Sequence, residues 1–350
     1  MRILAIGGSG FIGLPLVEQL VANGHEVAVF HRGKGPLELP AAVRRMVGDR
    51  KALAEHAEAL RGFRPEVVID MILSSGAQAE RLMQTFRGTA RRVVALSSID
   101  VYRACGVLHG LEDGPLEPLP LTEDSPLRTK PSTYPPRQIR MLQSVFGWLD
   151  DDYDKIPVER AVLGDPDLPG TVLRLPMVYG PRDPLHRLLP IVKRIDDGRG
   201  AIVFAESMAA WRGSRGYALN VAAAIGLAAA SEAAAGRVYN VAEPEMLSEL
   251  EWARKVAEVA GWRGEFVVLP DDRAPAHLRA PGNAAQHWVT DSSRIRDDLG
   301  FREPISGDEA IRRTVAWLRA HRPADEGPHV FDYAAEDAAL AGVSRRSSGP

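Results

Sequence analysis

The sequence predicts an α/β protein built on a doubly wound parallel sheet, with a smaller α/β lobe toward its C-terminus. Apolar runs of strand length alternate with helical patterns from the first residue, and a glycine-rich turn separates the first strand from the first helix. The 350 residues suffice for one large domain or two modest ones. We assign residues 1–175 to the sheet domain, completed by strands near 213–242. An interleaved lobe occupies 176–325, and 326–350 form a partly disordered tail.

The first half of the chain repeats strand and helix in order. PEVVIDMIL is nearly continuously apolar, which is typical of a parallel strand buried on both faces. LPLVEQLVANG repeats Leu16, Leu20 and Val21 at helical spacing before Gly24 ends the pattern. AQAERLMQTFRG is a second predicted helix. The other predicted strands in this half are RILAIGG, HEVAVFHRG, VRRMVGDR and RRVVALSSIDVY.

The second half is less regular. Residues 111–136 are rich in Pro and polar side chains and predict a long surface excursion. Further strands are predicted at GTVLRLPMVYG and GRVYNVA, and further helices at PLHRLLPIVKRIDDG and LSELEWARKVAEVAG.

Composition excludes several classes of function. Apolar residues make up 45% and charged residues 25%, as in ordinary globular proteins, and the formal net charge of −3 gives no reason to expect a nucleic-acid partner. Cys105 is the only cysteine, so an internal disulfide and a cysteine-based zinc site are excluded. The sequence has neither a signal-peptide core nor an uncharged apolar run of about 18 residues. We expect a cytoplasmic protein with no membrane span and no metal.

The turn AIGGSGFIG places Gly7, Gly10 and Gly13 between a strand and a helix. The first glycine permits the tight turn, the second lets a pyrophosphate approach the backbone, and the third lets the helix pack closely on the strand. The helix N-terminus adds free N–H groups and a positive dipole end. A glycine-rich turn without a ligand is the alternative, but strand, helix and N-terminal position all favour a Rossmann-type dinucleotide site. We assign Phe11 and Ile12 to the same site.

The end of the second strand predicts which dinucleotide binds. NAD sites usually place an acidic residue there for the ribose hydroxyls, whereas VFHRGKG has His31, Arg32 and Lys34. This cationic end favours the additional phosphate of NADP, with NAD as the alternative cofactor. A second alternative is that Arg32 is a solvated loop residue that binds no phosphate. Asp49, after the third strand, either accepts from the adenine amino group or caps a helix.

With these residues in place, the chain resembles the NAD-dependent epimerase/dehydratase family of the extended, atypical short-chain dehydrogenases/reductases. The resemblance runs from residue 1 to about 323. It rests on GGSGFIG, ALSSIDVY, TEDSPL, LRLPMVYGPRD, RGYALNVAAAI, GRVYNVAEP and DSSRIRDDLGF in this order. It implies a Rossmann domain with a C-terminal substrate lobe, a small-molecule substrate and, in many members, a homodimer.

The resemblance also implies a catalytic Ser or Thr, Tyr and Lys. Tyr exchanges a proton with the substrate oxygen, Lys lowers the Tyr pKa and holds the nicotinamide ribose, and the Ser/Thr hydroxyl orients the substrate. Ser98 of SSIDVY stands at the family's hydroxyl position, with a Ser that only bonds the local backbone as the alternative. Lys155 and Glu159 match the family's K-x-x-x-E, which puts the family's Tyr position on Asp151.

Tyr153 is then the nearest phenol, two residues from Lys155 instead of four. Two helical residues are about 200° apart, but Pro157 favours a start in which residues 153–156 precede the helix, so both side chains can point the same way. We infer a rearranged pair. Its alternatives are Lys155 as a ribose ligand alone, and a packing Tyr beside a surface Lys. Tyr134, followed by two prolines, is interpreted as a loop anchor.

On the substrate side, the resemblance points to Arg215 in WRGSRGYALNVA and Arg279 in LRAPGN as phosphate contacts, with structural arginines as the alternative. His186 is a substitute proton donor if no Tyr serves. The predicted function is an NAD(P)-dependent oxidoreductase or epimerase acting on a carbonyl or hydroxyl of a nucleotide sugar or similar polar metabolite. The alternative is a catalytically degenerate NADP-binding sensor or scaffold.

Overall fold

The computed structural model describes residues 1–33, 38–131, 133–280, 282–324 and 326–347. Lys34 of the predicted cofactor loop lies outside them. A seven-stranded sheet has the order β3-β2-β1-β4-β5-β6-β10, and every pairing in it is parallel. The predicted doubly wound sheet is confirmed. Its strands are β1 (Arg2–Ile6), β2 (Glu26–His31), β3 (Arg44–Val47), β4 (Val67–Asp70), β5 (Arg92–Ser98), β6 (Gly170–Leu175) and β10 (Val238–Asn240).

Helices cover both faces of this sheet. On one face α1 (Gly13–Ala22) packs with α9 (Ala218–Ala230), and their buried Leu16, Leu20 and Ile225 join a cluster with the β1 and β4 side chains. On the other face α3 (Gly76–Phe86) packs with α6 (Lys155–Leu163). Each fully buried Leu, Val or Phe contributes about 1.5–3 kcal/mol, so these two layers fix the sheet between them.

The described residues of the sheet domain also form α2 (Ala57–Gly62), α4 (Arg103–Leu108), α5 (Pro136–Val145) and α11 (Ser293–Leu299), the last of which packs beside β10. Between α4 and α5 the described residues form neither helix nor strand, in agreement with the predicted excursion. This segment is held against the rest of the protein at two points. The Glu123 carboxylate accepts from the backbone N–H of Asn240 at 2.8 Å, and Leu121 forms an isolated β-bridge with Thr290.

The smaller lobe holds two parallel strand pairs and the remaining helices. Its core packs Tyr179, Trp252 and Ile311 together. The helix at LSELEWARKVAEVAG begins in a capping box, in which the Ser248 side chain accepts from the Glu251 N–H while the Glu251 carboxylate accepts from the Ser248 N–H. The lobe's elements are β7 (Met177–Tyr179), α7 (Leu189–Asp196), β8 (Ala201–Ala205), α8 (Glu206–Ala210), β9 (Arg215–Tyr217), α10 (Glu249–Val259), β11 (Glu265–Leu269), α12 (Gly307–Ala320) and α13 (Tyr333–Ser347).

The structure differs from the sequence prediction at one of the later strands. GTVLRLPMVYG forms two strands, β6 and β7, because Pro176 has no N–H to continue the ladder, and β7 pairs with β9 in a separate sheet. Within the segment 326–350, interpreted from the sequence as a partly disordered tail, residues Tyr333–Ser347 form the helix α13. This helix is held by buried Glu336, whose carboxylate accepts two hydrogen bonds from the Arg194 guanidinium at 2.5 and 3.0 Å. No helix in the described ranges is long and apolar enough to cross a membrane.

Candidate active site

The glycine loop lies at the carboxyl end of β1, where the sheet order changes direction between β1's two neighbours. Gly7 has a φ of +82°, which a side chain would strain. A Cβ on Gly13 would lie 2.6 Å from the Gly8 carbonyl carbon, so only glycine lets α1 start this close to the loop. A Cβ on Gly10 would meet nothing nearer than 3.7 Å. The backbone at Gly10 therefore faces open space at the crevice where dinucleotides bind in such sheets.

One cavity extends from the glycine loop past the ends of β2 and β3. Its walls include His31, Arg32, Asp49 and Arg50. Arg32 is exposed and donates from Nη1 to the Gly147 carbonyl at 3.3 Å. Asp49 caps the turn that follows it by accepting from the Lys51 N–H at 2.9 Å. The cap alternative for Asp49 is therefore observed, and its adenine contact stays a prediction.

Two buried side chains at this cavity, His31 and Arg50, each have one nitrogen without a hydrogen-bond partner among the described residues. The His31 Nδ1 accepts from the Gly33 N–H at 2.9 Å, which leaves the ring proton on Nε2, an atom without a partner. Burial lowers the pKa of His31, and Arg45 adds to this effect. The Arg50 guanidinium bonds Asp70 and the Gln78 carbonyl, but its Nη1 has no partner. Both nitrogens are buried, whereas Arg32 is an exposed cation at this end of the cavity.

A second cavity, of about 390 Å³, adjoins the first and shares the glycine loop, Arg32 and Trp148 with it. It brings together most of the predicted site. The predicted residues along its walls are Gly7, Gly10, Phe11, Ile12, Gly13, Arg32, Ser98, Tyr153 and Lys155. Ser98 is the last residue of β5, and its hydroxyl accepts from the Asp100 N–H at 3.2 Å. Ser98 therefore bonds the local backbone, as in the alternative prediction, and also lines the cavity.

Lys155 is the first residue of α6 and is only 3% exposed. The sequence placed residues 153–156 before this helix. The expectation holds for Tyr153 but is wrong for Lys155 and Ile156, because Asp154 caps the helix by accepting from the Ile156 N–H. The Lys155 Nζ donates to the carbonyl oxygens of Leu96, at 3.0 Å, and Leu73. Burial lowers its pKa to about 8, against an opposing effect of nearby carboxylates.

Tyr153 bonds a residue that sequence reasoning missed. Its hydroxyl donates to Oδ2 of Asp100 at 2.7 Å, and Asp100 is completely buried. Burial and this carboxylate raise the pKa of Tyr153 well above its ordinary value, opposite to the effect that a Lys neighbour has in the resembling family. Asp100 stands two residues after Ser98, at the carboxyl end of a central parallel strand. An acidic side chain at that place is the signal that could have identified it.

Tyr134 shares the same carboxylate. Its hydroxyl donates to Asp100 Oδ2 at 3.1 Å, and its ring lies edge-on against His109 with the ring centres 5.4 Å apart. Tyr134 therefore ties its loop to the protein interior, as expected, and it does so through Asp100, the same carboxylate that Tyr153 bonds.

The structure does not bring the predicted phosphate-binding arginines to these cavities. Arg215 forms an ion pair with Glu249 and lies over the Trp252 ring, with 4.7 Å from its Cζ to the ring centre. The Arg279 guanidinium donates to the Ala274 carbonyl. Neither is among the described residues along either cavity, so their substrate roles stay predictions. His186 is likewise absent from the described cavity walls, where its neighbour Arg187 contributes.

Fold and site together define a Rossmann-type α/β protein in which a glycine loop, a Ser, a Tyr and a Lys line one cavity. Residues 3–127 match the model of the NAD dependent epimerase/dehydratase family. Over these residues the chain is similar to this family.

Among its relatives, the chain is 29% identical to a 3-diazoavenalumate denitrifying reductase from a Streptomyces species, over 86% of this chain and 96% of the relative. Among solved structures, it superposes on the Bordetella bronchiseptica enzyme WbmG in complex with NAD and UDP. That match has a TM-score of 0.66 and 19% identity, and covers 95% of this chain and 99% of the other. A UDP-glucose 4-epimerase from Thermotoga maritima with UDP-glucose gives 0.64 and 19%, covering 91% and 99%. At these identities the structures share the fold.

Proposed function

We propose that this protein is an NAD(P)-dependent oxidoreductase or epimerase that acts on a carbonyl or hydroxyl group of a polar small molecule. The observation that supports it most is that the glycine loop, Ser98, Tyr153 and Lys155 all line one cavity at the carboxyl ends of the sheet strands. The bound nicotinamide supplies or accepts the hydride.

The chain's own residues fit this group. Gly7 and Gly10 form the turn at which a pyrophosphate is held, and the N-terminus of α1 directs free N–H groups toward it. Lys155, with two of its three donors used by backbone carbonyls, has one left for a ribose hydroxyl. Ser98 orients the substrate oxygen, and Tyr153 exchanges the proton with that oxygen.

NADP is the proposed form of the cofactor, with NAD as the alternative. Arg32 is exposed in the wall of the cavity that His31 and Arg50 also line, and β2 ends in His31, where NAD-binding members place a carboxylate. A guanidinium is well suited to bind a phosphate through two hydrogen bonds. Fluorescence titration of the purified protein with NADPH and with NADH tests this proposal. Preferred binding of NADPH supports it, preferred binding of NADH overturns the cofactor assignment, and binding of neither overturns the function.

A nucleotide sugar, or a similar polar metabolite, is the proposed substrate class. Two findings support this class: the epimerase of similar fold was solved with UDP-glucose, and the Streptomyces relative is a reductase. A screen that follows NADPH absorbance with keto derivatives of nucleotide sugars and with an aryl diazonium salt separates these chemistries. UDP-glucose with NADP⁺ or NAD⁺ covers the oxidative and epimerising directions.

The second candidate is a protein that binds the cofactor without turnover. The observation that favours it is the hydrogen bond from Tyr153 to Asp100. In this bond the Tyr153 hydroxyl donates to Asp100 the hydrogen that catalysis would transfer to the substrate. Tight NADPH binding without oxidation by any member of the screen would support this candidate over the first.

A further inference from the structure

Two phenols converge on one buried carboxylate oxygen. The hydroxyls of Tyr153 and Tyr134 lie 2.7 and 3.1 Å from Asp100 Oδ2, and the other oxygen, Oδ1, has no partner among the described residues. The three residues come from separate segments, since Tyr134 and Tyr153 lie 34 and 53 positions from Asp100 in the chain. A local turn does not explain such an arrangement.

The direction of these hydrogen bonds depends on the protonation of Asp100. An ionised carboxylate only accepts, so each phenol must spend its single hydrogen on it. A protonated carboxyl has one hydrogen of its own. If this hydrogen points to the Tyr153 oxygen, the Tyr153 hydrogen is free to point into the cavity that Ser98 and Lys155 line.

We propose that Asp100 is a positioning residue that sets Tyr153 to its proton-donating state when protonated and withdraws the Tyr153 hydrogen when ionised. The inference rests on the proposed function for its catalytic meaning, although the switch itself is a property of the three side chains. Tyr153 passes its proton to the substrate oxygen, and the Asp100 proton moves to the phenolate left behind. The carboxylate is then reprotonated from solvent through the Tyr134 hydroxyl, so that one proton is transferred in total.

A route from solvent to this carboxyl is present. Tyr134 and Tyr153 both line another cavity, of about 730 Å³, on the side of Tyr153 away from the glycine loop. The wall of this cavity also holds Glu80, Asp151 and Asp152. Tyr134 therefore connects the buried carboxyl to an open, acidic cavity, while Tyr153 borders both this cavity and the cofactor crevice.

The surroundings of Asp100 favour its neutral form. Burial raises its pKa, against opposing effects of the Tyr153 hydrogen bond, Arg128 and Lys155. The Arg128 guanidinium spends its donors on the Asp100 and Lys130 carbonyls and on the Asp154 carboxylate, so it does not bond the Asp100 carboxylate itself. The other titratable neighbours are Cys105, whose thiol is buried, and His109 against the Tyr134 ring.

The switch can be tested without a substrate. The protein has seven tyrosines, so its ¹³C-labelled tyrosine ring carbons can be resolved by NMR, with Tyr153→Phe and Tyr134→Phe assigning the two resonances. We expect both resonances to follow one titration curve with a midpoint above about 4, the ordinary value for an Asp carboxyl. In Asp100→Asn that curve should vanish. This variant keeps Lys155 and His109, so it also removes their titrations as explanations.

Resonances that stay fixed across the pH range, that move independently of each other, or that titrate equally in Asp100→Asn would overturn the inference. If Asp100→Asn does not fold, Tyr134→Phe decides. Loss of one hydrogen bond to the carboxylate should move the Tyr153 midpoint upward, and an unchanged midpoint contradicts the shared carboxyl. NADPH titration of the same samples is a separate readout, so a failure of the proposed function is distinguished from a failure of the switch.

Discussion

The Lys155 ammonium lies 5.7 Å from the centre of the Tyr153 ring, and the two side chains border the same cavity although they are two positions apart in the chain. They can do so because Tyr153 precedes the helix cap and Lys155 is the first residue inside the helix. The spacing that would place them on opposite faces of a continuous helix therefore does not apply. The phenol is nevertheless oriented by Asp100, not by the ammonium.

Removal of the Tyr153 hydroxyl should abolish turnover and spare cofactor binding. General acid–base groups contribute roughly 10²–10⁴-fold, so Tyr153→Phe should lower kcat by at least about 100-fold on a substrate from the screen. Affinity for NADPH should stay within about twofold, by fluorescence titration. Tyr333→Phe is the matched control, because Tyr333 bonds Asp197 in the lobe. Unchanged kcat in Tyr153→Phe would show that another group moves the proton.

Cofactor affinity should fall as the pH rises through the pKa of Lys155. Burial lowers that pKa to about 8, so the ammonium is charged below pH 8 and loses its charge above it. A neutral amine is a poorer donor to a ribose hydroxyl, and we expect the NADPH Kd to increase between about pH 7 and 9. Lys155→Met should bind more weakly at pH 7 and show no such dependence. The same pH dependence in Lys155→Met would assign it to another group.

Arg32 should determine the preference between NADPH and NADH. It is exposed at the cavity, and its hydrogen bond within the described residues is a long one, to the Gly147 carbonyl, so its removal should leave the fold intact. Arg32→Ala should weaken NADPH binding by about tenfold, equivalent to about 1.4 kcal/mol, and leave NADH binding nearly unchanged. The difference should shrink at high salt, because an exposed charge is screened. Arg91→Ala, a surface arginine paired with Glu232, serves as the control. Equal losses for both dinucleotides would contradict a role in phosphate selection.

Gly13→Ala should destabilise the protein, since its methyl group would lie 2.6–2.8 Å from backbone atoms of Gly7 and Gly8. Overpacking of this kind costs about 1–3 kcal/mol, and we expect a lower midpoint of chemical unfolding together with weaker NADPH binding. Gly226→Ala is the matched control. Its methyl would make ordinary contacts with Leu16 and Leu20 inside helix α9, so this change should stabilise by about 0.5–1 kcal/mol. A neutral Gly13→Ala would mean that the loop can shift.

Some features of the fold and the site could be predicted from the sequence alone, and others could not. The glycine turn, Arg32 at the end of β2 and Ser98 at the end of β5 were predictable, because each depends on its place along one strand and the structure puts them at the shared edge of the sheet. The division of GTVLRLPMVYG at Pro176 and the helix after residue 332 were not, because both depend on pairing partners far along the chain.

The sequence by itself determined the parallel sheet, the glycine loop and the register of Lys155 with Glu159, since these follow from local periodicity, glycine chemistry and spacing. The tertiary structure decided what Tyr153 does with its hydroxyl. Of the residues at this site, only Ser98 is close to Asp100 in the sequence. Asp100 contacts Tyr134 and Tyr153 because the end of β5, the segment before α5 and the start of α6 lie next to one another in the fold. Burial of that carboxylate, which raises its pKa, is a property of the packed interior, and no stretch of the sequence carries it alone.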